Sequence, residues 1–246
     1  MRPSTTRFLL GLSAILMATA LALTVGLMVQ SESASNPSPN PRGQAPNASD
    51  PYSGFPAVDW AYWQSVNSDV IGWVTISGTR VDLPICQGRD NDPGYYLTHD
   101  VYGNWNIYGC PHLDAACREQ GFDSSLCMVF AHHMDDGTMF SALASYSEED
   151  FRQDHPEILL QIPERRMRLS VVAVDVVDAS REFKELEFAD GLDFQAWWGN
   201  TYENCDFRLK DVESEPGSLN AFVTCSYETW NSRTVVYAFE ESGETN

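Results

Sequence analysis

Short apolar runs separated by turn residues constrain the fold of this chain most. The runs are rich in Val, Ile, Leu and Tyr, which favour β-strands, and polar or Pro- and Gly-containing segments divide them. They lie at residues 126–130, 158–162, 168–177, 219–224 and 233–239. Another pair of runs, within residues 74–85, flanks Ser77-Gly78 in the manner of a hairpin. The pattern predicts a mostly β domain built as a closed barrel or a sandwich.

Three segments carry helical rather than strand periodicity. Trp60, Trp63, Val66 and Val70 recur at helix-like intervals, which predicts one or two short helices with an aromatic face on the core. Residues 137–146 and 191–202 have similar spacing and lie between predicted strands. Helices inserted into a β scaffold make the predicted fold class α+β.

The N-terminal segment differs from the rest of the chain. Residues 8–29 contain no charged side chain, and as a helix of about 1.5 Å per residue they span about 33 Å, enough to cross a bilayer. Arg2 and Arg7 precede this segment and Glu32 follows it, which favours a cytoplasmic N-terminus with the rest outside. A cleaved secretory signal is the alternative, although its apolar core is usually shorter.

A polar linker separates the apolar segment from the predicted strands. Residues 31–56 are rich in Pro, Ser, Asn and Gly, and such a composition buries too little surface to offset its ordering entropy. The sequence therefore predicts three parts. These are a cytoplasmic tip with a transmembrane anchor (1–30), a flexible extracellular tether (31–56) and a folded domain (57–246).

Charge and cysteine content limit the function classes. The formal net charge of −20 argues against nucleic acid as a partner, because phosphate binding needs clustered Lys and Arg. The six cysteines are Cys86, Cys110, Cys117, Cys127, Cys205 and Cys225. In a domain outside the reducing cytosol, disulfides are allowed. Cys110 and Cys117 are close enough in sequence to pair, but geometry decides pairing, and the disulfide state stays open.

The candidate catalytic residues are a thiol, an imidazole and a guanidinium. A thiol with a pKa of about 8.5 needs a nearby imidazole or cation to act as a nucleophile at neutral pH. Cys225 ends one predicted strand, Arg233 opens the next, and His132-His133 follow the strand at 126–130. Each residue alone is more often structural: a buried apolar thiol, a surface pair and an edge charge. Their joint order favours a nucleophile, a proton carrier and a positive charge.

In that order the sequence resembles the sortases, the cysteine transpeptidases of Gram-positive envelopes, and specifically class B. The resemblance rests on Thr224-Cys225, on Arg233 before a Val-rich strand, and on Ala131-His132-His133-Met134 followed by Asp136-Gly137-Thr138-Met139-Phe140. Collinear similarity extends from about residue 59 to residue 239. Three departures from the family pattern are Ala131, where the family has glycine, His112, where relatives usually carry an aromatic residue, and Ala221-Phe222, where the family signature has Thr-Leu.

The resemblance implies a fold and a set of site residues. The expected fold is a closed β-barrel of about eight strands, with N-terminal helices and a helix inserted before the catalytic-cysteine strand. The implied catalytic residues are Cys225 as nucleophile, His132 as proton carrier, and Arg233 as the group that holds the carbonyl oxygen. Implied substrate contacts are Leu97, Thr224 and His133. The segments at 87–94 and 182–205 are expected to form walls beside the site.

The resemblance also implies a reaction and its partners. The enzyme would cleave a C-terminal sorting motif of secreted proteins through a thioacyl intermediate. It would then transfer the product to an amine of a peptidoglycan precursor or of a pilin. It would need no cofactor and no metal, would be attached to the cell membrane by its single N-terminal helix, and would hold its catalytic domain outside the cell.

The residues themselves leave two other hypotheses about function open. One keeps the fold and the thiol but makes the protein an envelope cysteine peptidase that hydrolyses its substrate. The other makes it a non-catalytic surface module held by disulfides or by zinc. Thiolates and imidazoles are zinc ligands, and several cluster in the sequence: Cys110, His112, Cys117, Cys127, His132 and His133.

Overall fold

The computed structural model describes residues 53–178, 186–209, 216–226 and 232–240, without the side chains of Cys225 and Ser226. The predicted anchor and nearly all of the predicted tether therefore lie outside the described residues. Within the part of the chain that is described, no helix is long and apolar enough to cross a membrane.

Nine strands and five α-helices make up the described fold, with three short 3-10 helices at Ala115–Cys117, Gly121–Asp123 and Ser145–Ser147. The strands are β1 (Val70–Thr75), β2 (Asp82–Gln87), β3 (His112–Leu113), β4 (Leu126–Phe130), β5 (Glu157–Gln161), β6 (Arg166–Asp178), β7 (Phe207–Arg208), β8 (Leu219–Ser226) and β9 (Ser232–Glu240). The helices are α1 (Trp60–Val66), α2 (Tyr95–Thr98), α3 (Ser141–Ala144), α4 (Glu149–Asp154) and α5 (Gly191–Asn204).

Eight of the strands close into a mixed barrel. Their order is β5-β1-β2-β3-β4-β8-β9-β6, and pairing of β5 with β6 closes the ring, while β7 lies outside on β6. Pairs β2–β3 and β4–β8 are parallel, and the others are antiparallel. Closure leaves few unpaired strand edges. The predicted α+β fold, a closed barrel of about eight strands with inserted helices, is confirmed.

Alternation along the strands separates an inner from an outer apolar face. Ile85, Val129, Phe222 and Val236 belong to the cluster that fills the barrel, and all are at most 1% exposed. Their neighbours in the strands point the other way, because successive side chains alternate between the two faces of a strand. The barrel therefore needs helices to cover its outer apolar patches.

Helix α1 covers one outer patch. The Asp59 side chain accepts a hydrogen bond from Tyr62 N at 3.0 Å and caps the first turn. Trp63 is 2% exposed and packs on Trp73 of β1 with ring centroids 5.5 Å apart. The apolar cluster around Trp63 and Trp73 also contains Val70, Cys86, Tyr96, Val101 and Cys110. The aromatic face predicted for the segment is therefore the face that packs on the barrel.

Helix α5 covers a second outer patch, on β4, β8 and β9. The Asp190 side chain accepts from the backbone N–H groups of Leu192 and Asp193 and starts the helix. Its buried residues include Trp198, which packs on Tyr237 of β9 at 5.4 Å between ring centroids. The outer side chains beneath the helix include Met128, Val223 and Val235.

The predicted strands at 126–130, 158–162, 168–177, 219–224 and 233–239 all end within two residues of the observed ones. The hairpin at 74–85 appears as β1–β2. The predicted helix at 137–146 is divided into α3 and a 3-10 turn. At the end of the predicted tether, Ser53 and Pro56 carbonyls accept hydrogen bonds from Arg168 at 2.7 Å and Gln161 at 3.1 Å.

Candidate active site

The ends of three adjacent strands bring the predicted catalytic positions together. In the parallel pair β4–β8, Phe130 is opposite Val223, and Ala131 N donates to Val223 O at 3.2 Å. His132 comes two residues after Phe130, and Cys225 comes two residues after Val223. In the antiparallel pair β8–β9, Cys225 is the Cα partner of Arg233. The three positions therefore lie at one end of β4, β8 and β9.

Strand alternation also places positions 225 and 233 on one face. Phe130, Val223 and Val235 belong to the outer apolar cluster under α5. Positions two residues away along a strand share a face, so positions 225 and 233 lie on the outer face just beyond that cluster. The intervening rung, Thr224 opposite Thr234, faces the interior, and these side chains are 1% and 0% exposed.

The imidazole of His132 is held by a main-chain carbonyl. Its Nε2 lies 2.7 Å from the carbonyl oxygen of Leu97, which follows Tyr96 in α2. A carbonyl only accepts hydrogen bonds, so Nε2 carries the hydrogen in this contact. This contact places a hydrogen on Nε2 and fixes the orientation of the ring.

The loop after the histidines closes on itself and fixes their backbone. Phe140 N donates to His132 O at 2.9 Å, and His133 forms an isolated bridge with Met139. Met139 has φ +54° and is 1% exposed, so its strained backbone is held by burial of the side chain. The Ser141 hydroxyl accepts from Met134 N at 2.7 Å. His132 thus projects from a rigid turn.

Asp136 anchors this turn to the rest of the barrel. Its carboxylate accepts from Thr138 N at 3.0 Å and Thr138 Oγ1 at 2.6 Å, and from the Tyr108 hydroxyl at 3.0 Å. The hydrogen bond from the Thr138 hydroxyl lowers the pKa of Asp136, and burial opposes this shift in part. Arg80 Nη1 donates to the Asp136 carbonyl at 2.7 Å.

The predicted wall at 87–94 leads into α2 and is held by an ion pair and a ring stack. Arg89 Nε lies 3.0 Å from Asp69 Oδ2, and its guanidinium lies 3.6 Å from the ring centroid of Tyr95. On the other face of Tyr95, the His99 ring stacks at 3.9 Å. Leu97 is 40% exposed in the same helix. The other predicted wall is described only from residue 186, and it contains α5.

The remaining predicted site residues differ in accessibility. His133 and Arg233 are half-buried, and Arg233 Nη1 donates to Ser232 O at 3.0 Å. Thr224 is buried within its strand rung. His112, which stands where relatives have an aromatic residue, is 5% exposed and stacks on Phe130 at 6.0 Å between centroids. It therefore occupies the packing position of the aromatic side chain.

Two elements of the site carried no usable sequence signal. The Leu97 carbonyl is a backbone group, and Tyr108 and Arg80 are distant in sequence from the turn they contact.

The hypothesis of a zinc site requires several His, Cys, Asp or Glu side chains that lie close together. Among the described residues, no three His, Cys, Asp or Glu side chains are grouped so that they could hold a metal ion.

Solved structures share this barrel. The fold is similar to that of Clostridium perfringens sortase B, with a TM-score of 0.66 at 22% identity, over 72% of this chain and 97% of that chain. It is similar also to a Staphylococcus aureus sortase B–substrate complex, with a TM-score of 0.64 at 22% identity, over 74% of this chain and 85% of that one. The barrel is therefore of the sortase type.

Sequence similarity goes further than the fold. No family model matches the chain. However, it is 31% identical over 165 residues to sortase B of Listeria monocytogenes, a match that spans 67% of this chain and 66% of the relative. The chain belongs to the sortase family, class B.

Proposed function

We propose that this protein is a cysteine transpeptidase that cleaves a C-terminal sorting motif of secreted proteins and transfers the product to an amine. The observation that carries this proposal is the strand register at the barrel end: Cys225 is the Cα partner of Arg233, and position 132 lies two residues beyond Phe130, the Cα partner of Val223. The similar Staphylococcus aureus structure is a substrate complex, which also supports it.

In the first half-reaction, the Cys225 thiolate attacks the carbonyl carbon of the scissile residue, a threonine. A C–S bond forms, the C–N bond breaks, and His132 gives its proton to the departing amine. The Leu97 carbonyl holds His132 Nε2, so this proton comes from Nδ1. The product is a thioester between the enzyme and the N-terminal part of the substrate.

In the second half-reaction, an incoming amine attacks the thioester. The amine transfers a proton to His132, the new C–N bond forms, and the Cys225 thiolate leaves. Arg233 stabilises the oxyanion of both tetrahedral intermediates, because a guanidinium stays protonated and presents fixed donors to an oxygen. Its charge also favours the thiolate over the thiol.

The location follows from the N-terminal sequence. Residues 8–29 form a single membrane-spanning anchor, the N-terminus is cytoplasmic, and the linker at 31–56 carries the catalytic domain outside the cell. There the enzyme meets secreted substrates that carry the sorting signal. The accepting amine belongs to a peptidoglycan precursor or to a pilin. Leu97 and His133 contribute to substrate binding, whereas the predicted contact Thr224 is 1% exposed and faces the barrel interior, so its side chain does not.

The test is a ligation assay with the full chain in detergent micelles. The probes are fluorogenic peptides with threonine at the scissile position and randomised preceding residues, offered with a glycine oligomer or a lysine amide. Mass spectrometry separates ligated from hydrolysed products, and hydroxylamine traps the thioacyl enzyme as a hydroxamate. Transpeptidation predicts that ligated product exceeds hydrolysed product when the amine is present.

Two variants make the outcome decisive. Cys225→Ala should lose both products, whereas Cys205→Ala, which removes a buried thiol packed beside α5, should keep them. Hydrolysis without ligation under every amine would establish a peptidase instead. Unchanged turnover in Cys225→Ala would overturn both enzyme readings.

A further inference from the structure

Two cysteines outside the proposed catalytic set lie in contact. The Sγ atoms of Cys86 and Cys110 are 3.6 Å apart, and the side chains are 0% and 2% exposed. Cys86 belongs to β2, and Cys110 lies just before β3, which pairs with β2 in parallel. The two residues are therefore distant in sequence but adjacent across neighbouring strands.

The surrounding backbone already holds the two segments side by side. Cys86 N donates to the carbonyl of Pro111 at 2.9 Å, so the chain beside Cys110 is hydrogen-bonded to Cys86 itself. Cys110 N donates to Tyr96 O at 2.8 Å on its other side. A disulfide has an S–S distance of about 2.05 Å, so the two sulfurs, now 3.6 Å apart, would have to approach each other by about 1.5 Å.

The two thiols lie in a largely apolar environment. They lie in the apolar cluster with Trp63, Trp73 and Val101, and their polar contacts are weak ones to Asn67 Nδ2 at 3.8 Å and Pro84 O at 3.7 Å. Burial raises the pKa of the Cys110 thiol, and contact with Cys86 raises it further. Buried thiols kept protonated are unreactive, so any oxidation of this pair must accompany folding.

We propose that Cys86 and Cys110 form a structural disulfide. The two S–H bonds are lost, one Sγ–Sγ bond forms, and two protons are released. The two electrons pass to the disulfide of a thiol–disulfide oxidoreductase of the envelope, which becomes a dithiol. The inference rests on the proposed function only for this oxidising location, since the sulfur contact is independent of catalysis.

The bond would brace the support of the candidate catalytic histidine. Cys110 is hydrogen-bonded to Tyr96, and the next residue, Leu97, presents its carbonyl to His132. Residues 109–110 form a strap that lies against α2. Gly109 allows this close approach, because its φ is +63° and a Cβ there would lie 2.3 Å from Tyr96 O. A covalent link from β2 to this strap ties α2 to the barrel wall.

Peptide mapping tests the bond directly. The full chain is refolded in micelles from a reduced, denatured state in a glutathione buffer poised as in a secretory compartment. Free thiols are then blocked with N-ethylmaleimide in acidic guanidinium. Cleavage before aspartate isolates Cys86 in residues 82–89 and Cys110 in residues 100–113, apart from Cys117. We expect these two peptides to be joined, and to separate after reduction.

Thermal unfolding provides the second measurement. A disulfide that closes a loop of this length should make reduction lower the Tm by roughly 5–10 °C. Cys110→Ala should unfold at the same temperature with and without reductant, while Cys205→Ala, the matched buried thiol, should keep the difference. Recovery of Cys86 and Cys110 as blocked thiols, or of Cys110 joined to Cys117, would overturn the proposal.

The mapping and the ligation assay separate the two proposals. Joined peptides in a protein that ligates no peptide would refute the transpeptidase and leave the disulfide standing. Ligation by a protein whose Cys86 and Cys110 are both blocked would do the reverse.

Discussion

The Nε2 atom of His132 lies 2.7 Å from the main-chain carbonyl oxygen of Leu97. The same residue thus offers a backbone group to the candidate catalytic imidazole and a side chain, 40% exposed, to solvent. The two contributions can be separated, because a side-chain substitution leaves the carbonyl in place.

The first prediction concerns Leu97→Ala. The carbonyl still holds His132, so the chemical step should be preserved, while about 1–2 kcal/mol of apolar contact with the substrate is lost. We expect KM for the sorting peptide to rise roughly 5–30-fold with kcat within about twofold. Steady-state kinetics of ligation measure both.

Leu209→Ala is the matched control, because Leu209 is 36% exposed and directly follows β7, outside the predicted walls of the site. It should leave both constants unchanged. A fall in kcat for Leu97→Ala with constant KM would show that the side chain positions the imidazole rather than the substrate.

The second prediction concerns Arg233, the Cα partner of Cys225. Lysine keeps the positive charge but lacks the planar set of donors that holds an oxygen in fixed geometry. Arg233→Lys should therefore lower kcat by about 10²-fold or more, with the far-UV spectrum and Tm little changed. Arg166→Lys, on an exposed position at the start of β6, should retain full activity. Wild-type kcat in Arg233→Lys would remove the oxyanion role.

The third prediction compares two glycines that have similar backbone φ angles but different surroundings. Gly109 and Gly121 have φ +63° and +56°, but a Cβ at Gly109 would lie 2.3 Å from Tyr96 O, whereas one at Gly121 meets nothing within 4 Å. Gly121→Ala should lower the free energy of unfolding by about 1–2 kcal/mol, the cost of left-handed backbone. Gly109→Ala should cost about 2 kcal/mol more, because backbone must also move.

Denaturant unfolding measures both free energies. Equal losses in the two variants would mean that the strap at 109–110 yields easily. In that case Gly109→Ala should also leave ligation intact, since the Leu97 carbonyl would be undisturbed.

The strands were predictable because their signal is local. Runs such as 219–224 and 233–239 combine β-branched residues with turn residues on both sides, so propensity and pattern agree. Helix α2 has four residues and β3 has two, which is too short for any periodicity to register. The sequence could therefore predict the barrel but not the piece of it that holds His132.

Cysteine contacts illustrate the same limit. Nearness in sequence suggested Cys110 with Cys117, but the parallel pairing of β2 with β3 brings Cys110 against Cys86 instead. Parallel strands need a long connection, so their partners are always distant in sequence. The order of His132, Cys225 and Arg233 was readable, whereas the Leu97 carbonyl that fixes the imidazole was not, because every residue carries the same backbone group.

The final prediction concerns Asp175, on β6, which is the Cα partner of Val235 and lies two residues from Val177, the partner of Arg233. Burial, together with the nearby Asp206 carboxylate, raises the pKa of Asp175 from its ordinary value of 3.8 to about 6. The folded state therefore binds this proton more tightly than the unfolded state. The contribution to stability is fully present below about pH 4 and is lost as the pH rises through about 6.

Asp175→Asn removes this titration while keeping a similar shape. Its Tm should exceed that of the wild type at pH 7 to 8, and the difference should shrink steadily as the pH falls to about 4, where the wild-type carboxyl is neutral as well. Glu164→Gln, an exposed acid in the turn between β5 and β6, serves as the control and should show no such trend. A constant Tm difference across this range would mean that Asp175 is ionised throughout. The electrostatic repulsion between the Asp175 and Asp206 carboxylates would then be absent from the folded protein.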